Sequence, residues 1–173
     1  GEGGNDGFDL NGAANLAGWV VDGGSGTDNA DLIDGVLQLG TTLPFIGIEN
    51  LDTFLTDFRG TAGNDSYDFR PFNTYAPGFA TTVHVRIATG DGNDTVLMSN
   101  TVLSSGANIV DGQGGNDSLV GGGSTDSLTG SAGDDTLDGG LGADTLSGGS
   151  GYDRYVVRDA GDESTQRRHL FRL

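Results

Sequence analysis

Residues 112–156 read GQGGNDSLV, GGGSTDSLT, GSAGDDTLD, GGLGADTLS and GGSGYDRYV, five nine-residue units without a gap. Gly112, Gly121, Gly130, Gly139 and Gly148 open the units, and Asp117, Asp126, Asp135, Asp144 and Asp153 hold the sixth place. The eighth place is apolar or aromatic: Leu119, Leu128, Leu137, Leu146 and Tyr155. A fixed short period marks one small structural unit stacked on itself. The first six residues of each unit suit a turn, because Gly accepts positive φ freely and Asn or Asp accepts it better than most residues. The last three, such as Thr136, Leu137 and Asp138, suit a short strand with one inward side chain.

A turn and a strand make half a coil, so two units close a coil of about eighteen residues and like turns stack every second repeat. Asp117, Asp135 and Asp153 then fall in one column, Asp126 and Asp144 in the other. A carboxylate from each of two stacked turns, joined by turn carbonyls, makes an all-oxygen cage. Ca²⁺ suits such a cage because it accepts about six to eight oxygens at flexible geometry, whereas Mg²⁺ demands a stricter octahedron and keeps its waters. The chain is thus expected to bind several calcium ions.

Composition points the same way. The net charge is −17 over 173 residues, and the acids are 22 Asp against 3 Glu, a bias toward short carboxylates held in turns. Lys is absent and all eight cations are Arg, so the basic patch that nucleic acid requires is not expected. Cys is absent, which excludes disulfides and thiolate zinc sites. No apolar run approaches the roughly 20 residues of a membrane-spanning helix, and no signal peptide is visible. The chain opens inside a repeat-like unit, GEGGNDGFD, as expected for a piece of something longer.

Before residue 110 the pattern is looser but present. Turn motifs end at Asp6, Asp28, Asp65 and Asp94, which join the five tandem aspartates as candidate metal ligands. Between them lie β-rich stretches: residues 19–21, 45–48 and 83–87, the last alternating as a strand with one polar face. Residues 51–58 read as a short helical or irregular segment. Three regions are expected: degenerate coils with β-rich insertions over 1–110, the tandem block over 111–158, and an atypical basic tail over 159–173.

These motifs resemble bacterial haemolysin-type calcium-binding (RTX) regions over residues 1–158. The resemblance implies an all-β fold, a right-handed parallel β-roll (a β-helix solenoid) with calcium between stacked turns. It also implies a secreted, extracellular bacterial protein exported by a one-step (type I) secretion machine. Some positions depart from the family pattern. Ser124 replaces the fourth-place Gly, which predicts strain in that turn, and Gln113 and Ser131 replace the second Gly. The tail does not look like the family's usual terminal cap.

The plainer readings lead elsewhere for several residues. His84 reads as a surface residue, His169 has no assigned role, and Trp19 reads as packing. The triplets at 57–59 and 68–70 read as surface pairs or coil packing, and Asp91, Asp111 and Asp138 as outer or solvated acids. One large apolar side chain per nine residues is a thin core, and clustered carboxylates repel, so the chain is expected to be disordered without calcium and to fold with it. H-E-x-x-H, G-x-S-x-G and P-loop signatures are missing, so no enzyme is expected in this chain. A carbohydrate-cleaving carboxylate pair would be invisible among so many acids. The leading function is a calcium-binding module that folds outside the cell and stabilises a larger secreted protein. The alternatives are an adhesin or extender segment, or the C-terminal region of a secreted exoenzyme.

Overall fold

Small residues flanking one apolar side chain make strands of two to six residues, too short to stand alone and stable only when stacked. In a computed structural model of the chain this is the whole architecture. The structure describes residues 3–10, 15, 18, 20–25, 29–31, 35–42, 45–46, 50–52, 56–70, 73–74, 85–99, 107–158, 160–164 and 170–172. Among these every element is a strand, with no helix. One seven-stranded sheet runs in the order Gly35–Gln38, Thr56–Arg59, Arg86–Ala88, Ile109–Asp111, Ser127–Ala132, Thr145–Ser150 and Glu163–Ser164. A six-stranded sheet runs Ser66–Asp68, Thr95–Leu97, Ser118–Val120, Thr136–Asp138, Arg154–Val157 and Leu170–Arg172. From Thr56 onward the strands of the two sheets alternate along the chain, and all pair in parallel, so the two sheets are the two faces of a parallel β-roll.

Register gives the coil length. Partners lie 29 residues apart from Phe58 to Ile87, 23 from Ile87 to Val110, and 18 from Val110 to Leu128 and from Leu128 to Leu146. The eighteen-residue coil expected from the tandem block is therefore present, and the looser region has longer coils. Further toward the N-terminus a four-stranded parallel sheet joins Gly7–Asp9, Asn29–Asp31, Asn50–Asp52 and Asn73–Thr74, and Val21–Asp22 pairs with Phe45–Ile46.

The core is two ladders of single side chains. Tyr67, Val96, Leu119, Leu137 and Tyr155 stack along one sheet, and Phe58, Ile87, Val110, Leu128 and Leu146 along the other, all buried. The hydroxyl of Tyr67 donates to the Gly40 carbonyl at 2.7 Å, which lets a phenol end inside the stack. In the two related triplets, Phe58 and Phe69 pack inside with ring centroids 5.7 Å apart, while outside Arg70 pairs with Asp68 at 2.7 Å and Arg86 with Asp57 at 3.4 Å.

Two expectations are corrected. The described residues of 51–58 form no helix: Asn50–Asp52 and Thr56–Arg59 are strands, because their partners on neighbouring coils supply ladder bonds that a short isolated helix would lack, and 53–55 lie outside the described residues. Ser124 does not carry the strained backbone. Gln113 (φ 67°) and Ser131 (φ 79°) do, at the second place, where Gly122, Gly140 and Gly149 are also left-handed. Asp111 Oδ1 eases both, accepting the Gln113 N–H at 3.1 Å and the Ser131 hydroxyl at 2.9 Å. Beyond the tandem block, the tail lacks the nonapeptide motif, and its described strands add to the roll, Glu163–Ser164 pairing on one face and Leu170–Arg172 on the other. His84, His169 and Trp19 lie outside the described residues.

Candidate metal centre

Each sixth-place aspartate sits where a turn enters a strand, and the strand register stacks it over its neighbour. The N–H of Asp65 donates to Asp94 Oδ1 (2.8 Å), that of Asp94 to Asp117 Oδ1 (2.9 Å), that of Asp117 to Asp135 Oδ1 (2.9 Å) and that of Asp135 to Asp153 Oδ1 (3.1 Å). On the opposite edge Asp126 donates to Asp144 Oδ1 at 2.8 Å, and Asp144 to Asp162 Oδ1 at 3.3 Å. The two columns expected from the period are thus in place, each rung laced by one carboxylate oxygen.

The second oxygen carries the chemistry. Oδ2 of Asp94, Asp117, Asp126, Asp135 and Asp153 is buried and has no hydrogen-bond partner among the described residues. An acceptor left so in a protein interior costs about 1–3 kcal/mol, more when charged. Each of these side chains is at most 3% exposed. Burial pushes the carboxyls of Asp117 and Asp126 up to about 7, and raises Asp94 and Asp135 as well. By contrast, the exposed Asp68 is held below its usual range by its hydrogen bond from Arg70.

First-place glycines follow from the same packing. A Cβ on Gly112, Gly130, Gly139 or Gly148 would collide with Oδ2 of the aspartate five residues on, so any other residue there would have to displace the carboxylate. At the fourth place the constraint is backbone. Gly115, Gly133 and Gly151 are left-handed, and a Cβ on each would strike the carbonyl of the equivalent residue one coil back, Gly92, Gly115 and Gly133. Successive turns therefore bring backbone carbonyls and buried carboxylates close together. Among the described residues no three His, Asp or Glu side chains gather in one place. The stacking gives one carboxylate per turn, so a cage here needs carbonyl oxygens to complete it. Oxygen donors alone, with unpaired carboxylate oxygens at the centre, fit a hard divalent cation.

The remaining predicted ligands differ. Asp65 is buried, but Thr61 saturates it: Oδ2 accepts the Thr61 N–H at 2.7 Å and Oδ1 the Thr61 hydroxyl at 2.8 Å. Asp6 is only half-buried. Asp28 lies outside the described residues. Of the outer acids, Asp138 pairs with Arg158 at 2.6 Å and Asp111 serves the strained turns.

Sequence reasoning missed three features. Asp162 completes the second column, and its Oδ2 accepts the Arg158 N–H at 2.9 Å. Asn108 begins that column, with its backbone N–H on Asp126 Oδ1 at 3.1 Å. Carrying the nine-residue period one step past each end of the tandem block finds both. The third is a fifth-place ladder on the first edge running the other way. The N–H of Asn93, Asn116, Asp134 and Tyr152 donates to Oδ1 of Asn64, Asn93, Asn116 and Asp134, at 2.7–2.8 Å.

A parallel roll whose turns bury columns of aspartate over glycine presents a repeated set of oxygen donors of the kind a hard cation takes. Residues 103–128 and 120–155 match the RTX calcium-binding nonapeptide repeat family, in four copies, so this stretch of the chain consists of RTX calcium-binding repeats. No curated protein and no solved structure matches the chain.

Proposed function

We propose that the chain is a calcium-triggered folding module of a larger secreted bacterial protein. It stays open where calcium is scarce, as in the cytosol during export by a one-step secretion machine, and closes into the roll outside the cell, where it stabilises the protein that carries it. The ligands are Asp94, Asp117, Asp126, Asp135, Asp144 and Asp153, with turn carbonyls completing each cage. Bound calcium supplies positive charge at the buried carboxylate oxygens. The chain's own residues do the rest: stacked amides hold each Oδ1, and first-place glycines leave room for Oδ2. The single observation that carries this reading is the set of buried Oδ2 atoms without a partner. Calcium at extracellular levels is sufficient, since modules of this kind bind at roughly 10⁻⁴–10⁻³ M. The module performs no catalysis itself.

Circular dichroism and hydrodynamic radius across a calcium titration test this, with magnesium as the control. The account expects an expanded chain in chelator, and a cooperative rise in β signal with calcium that magnesium does not match. A compact, fully β chain in chelator would refute it.

Surface attachment is the second reading, and one feature favours it. A groove of about 560 Å³ opens on the outer face of the seven-stranded sheet, where small Ala88 separates Arg59 from Asp111 in one cross-strand row and Arg86 stands alongside. Loss of glycan or cell binding in an Arg59→Ala, Arg86→Ala double variant, with calcium binding intact, would support it; binding unchanged by that variant would remove it.

A further inference from the structure

The two edges of the roll begin differently. On one, the described column runs as aspartate throughout, from Asp65 to Asp153. On the other, the first described rung is Asn108, the one sixth-place residue from 65 to 162 that is an amide. Its side chain does something no aspartate can. Nδ2 donates to Asp126 Oδ1 at 2.9 Å and to the Gly121 carbonyl at 3.1 Å. Gly121 is the first-place residue of the unit that Asp126 belongs to, so one NH₂ group bridges the carboxylate and a backbone carbonyl of the same turn. A carboxylate and a carbonyl are the two oxygen types that a hard cation would draw together. An amide NH₂ offers two donors with partial positive charge and meets the same pair of acceptors without a metal. Asp126 Oδ2 has no partner all the same, and a Cβ on Gly121 would meet both that oxygen and the Gly139 carbonyl of the Asp144 unit, so this turn keeps a carboxylate oxygen near a carbonyl of the next rung.

We propose that Asn108 is a built-in substitute for a cation. Its carboxamide closes the Asn108–Asp126 gap without metal, so cation binding on this edge starts only at the Asp126–Asp144 gap. Asn108 thereby gives the edge one rung that forms in the absence of calcium. Restoring the carboxylate, Asn108→Asp, opens a further calcium site between residues 108 and 126. This rests on the reading of the aspartate columns as calcium sites.

The experiment compares the wild-type chain with Asn108→Asp and Asn108→Ala. Calcium per chain is counted by equilibrium dialysis, and urea stability is measured at low and at saturating calcium. Asn108→Asp is expected to bind one more calcium than wild type. It should be less stable than wild type at low calcium, where it has lost the amide bonds and sets two carboxylates against each other. At saturating calcium it should recover the loss, with a steeper dependence of stability on calcium, because one more ion is linked to folding. Asn108→Ala should lose stability at both levels and keep the wild-type ion count. Failure of Asn108→Asp to fold at low calcium agrees with the proposal, and the saturating arm then decides. An unchanged ion count, with Asn108→Asp destabilised equally at both levels, would overturn it and leave Asn108 an ordinary structural amide. A wild-type chain that takes up no calcium would sink the calcium reading itself, and that result shows in the wild-type arm alone.

Discussion

At the scale of the residue, the sixth-place aspartates divide by what their second oxygen meets. Asp135 stands between Asp117 and Asp153 in its column and keeps Oδ2 without a partner, whereas Thr61 saturates Asp65. Asp135→Asn should therefore weaken calcium binding by roughly tenfold, about 1.4 kcal/mol, and Asp65→Asn should leave it nearly unchanged. Isothermal titration of the two variants checks this; equal losses would mean that overall charge and not the column sets affinity. The glycines give a companion case. Gly130 is not left-handed, yet a Cβ there would strike the Asp135 carboxylate, while a Cβ on Gly63 would meet only Thr61 Oγ1, at an ordinary contact distance of 3.7 Å. Gly130→Ala should cost about 1–3 kcal/mol as an overpacking strain, Gly63→Ala much less, in urea melts run in calcium.

At the scale of the element, a strand of three residues with one inward side chain has little redundancy. Leu137 lies between Leu119 and Tyr155 in its ladder and is completely buried. Leu137→Ala should destabilise the calcium-loaded roll by about 2–5 kcal/mol, and a loss under about 1 kcal/mol would contradict the ladder as the core. This is also the scale at which the sequence was most readable. The apolar eighth place named the core from Leu119 to Tyr155, and the period named the eighteen-residue coil and both columns. Where insertions break the period, as from Phe58 to Ile87, local composition misled: residues 51–58 read as helical or irregular, but Asn50–Asp52 and Thr56–Arg59 are strands fixed by register with distant coils. Asn108 and Asp162 hid because the motif degrades around them while the register does not. Saturation of Asp65 by Thr61 depends on how one turn folds back, which no period reports. Ser124 misled for a similar reason, since strain follows the φ a turn adopts and not its distance from a consensus.

At the scale of the whole molecule, charge and burial oppose one another. Carboxyls at Asp117 and Asp126 are raised by burial to about 7 in the metal-free fold, and those of Asp94 and Asp135 are raised too. An unfolded aspartate titrates near about 3.9, so between that value and 7 the fold holds more protons than the open chain. Stability linked to these groups is full below the unfolded value and is lost as pH rises through the folded one. The metal-free chain should therefore gain β structure and urea resistance as pH falls from 8 toward 5. For the same reason calcium should bind less tightly over that range, because it must displace the protons. Circular dichroism of calcium-stripped protein across pH checks the first point; a flat profile would show that the carboxylates are not buried as described.

The central claim is that the buried Oδ2 atoms are cation ligands, and diffraction tests it most directly. Crystals grown in calcium, measured for anomalous scattering, should show ions about 2.3–2.6 Å from the carboxylate oxygens of Asp117, Asp126 and Asp135, each completed by turn carbonyls, and none at Asp65. Carboxylates at these places with no anomalous peak beside them in saturating calcium would contradict the account.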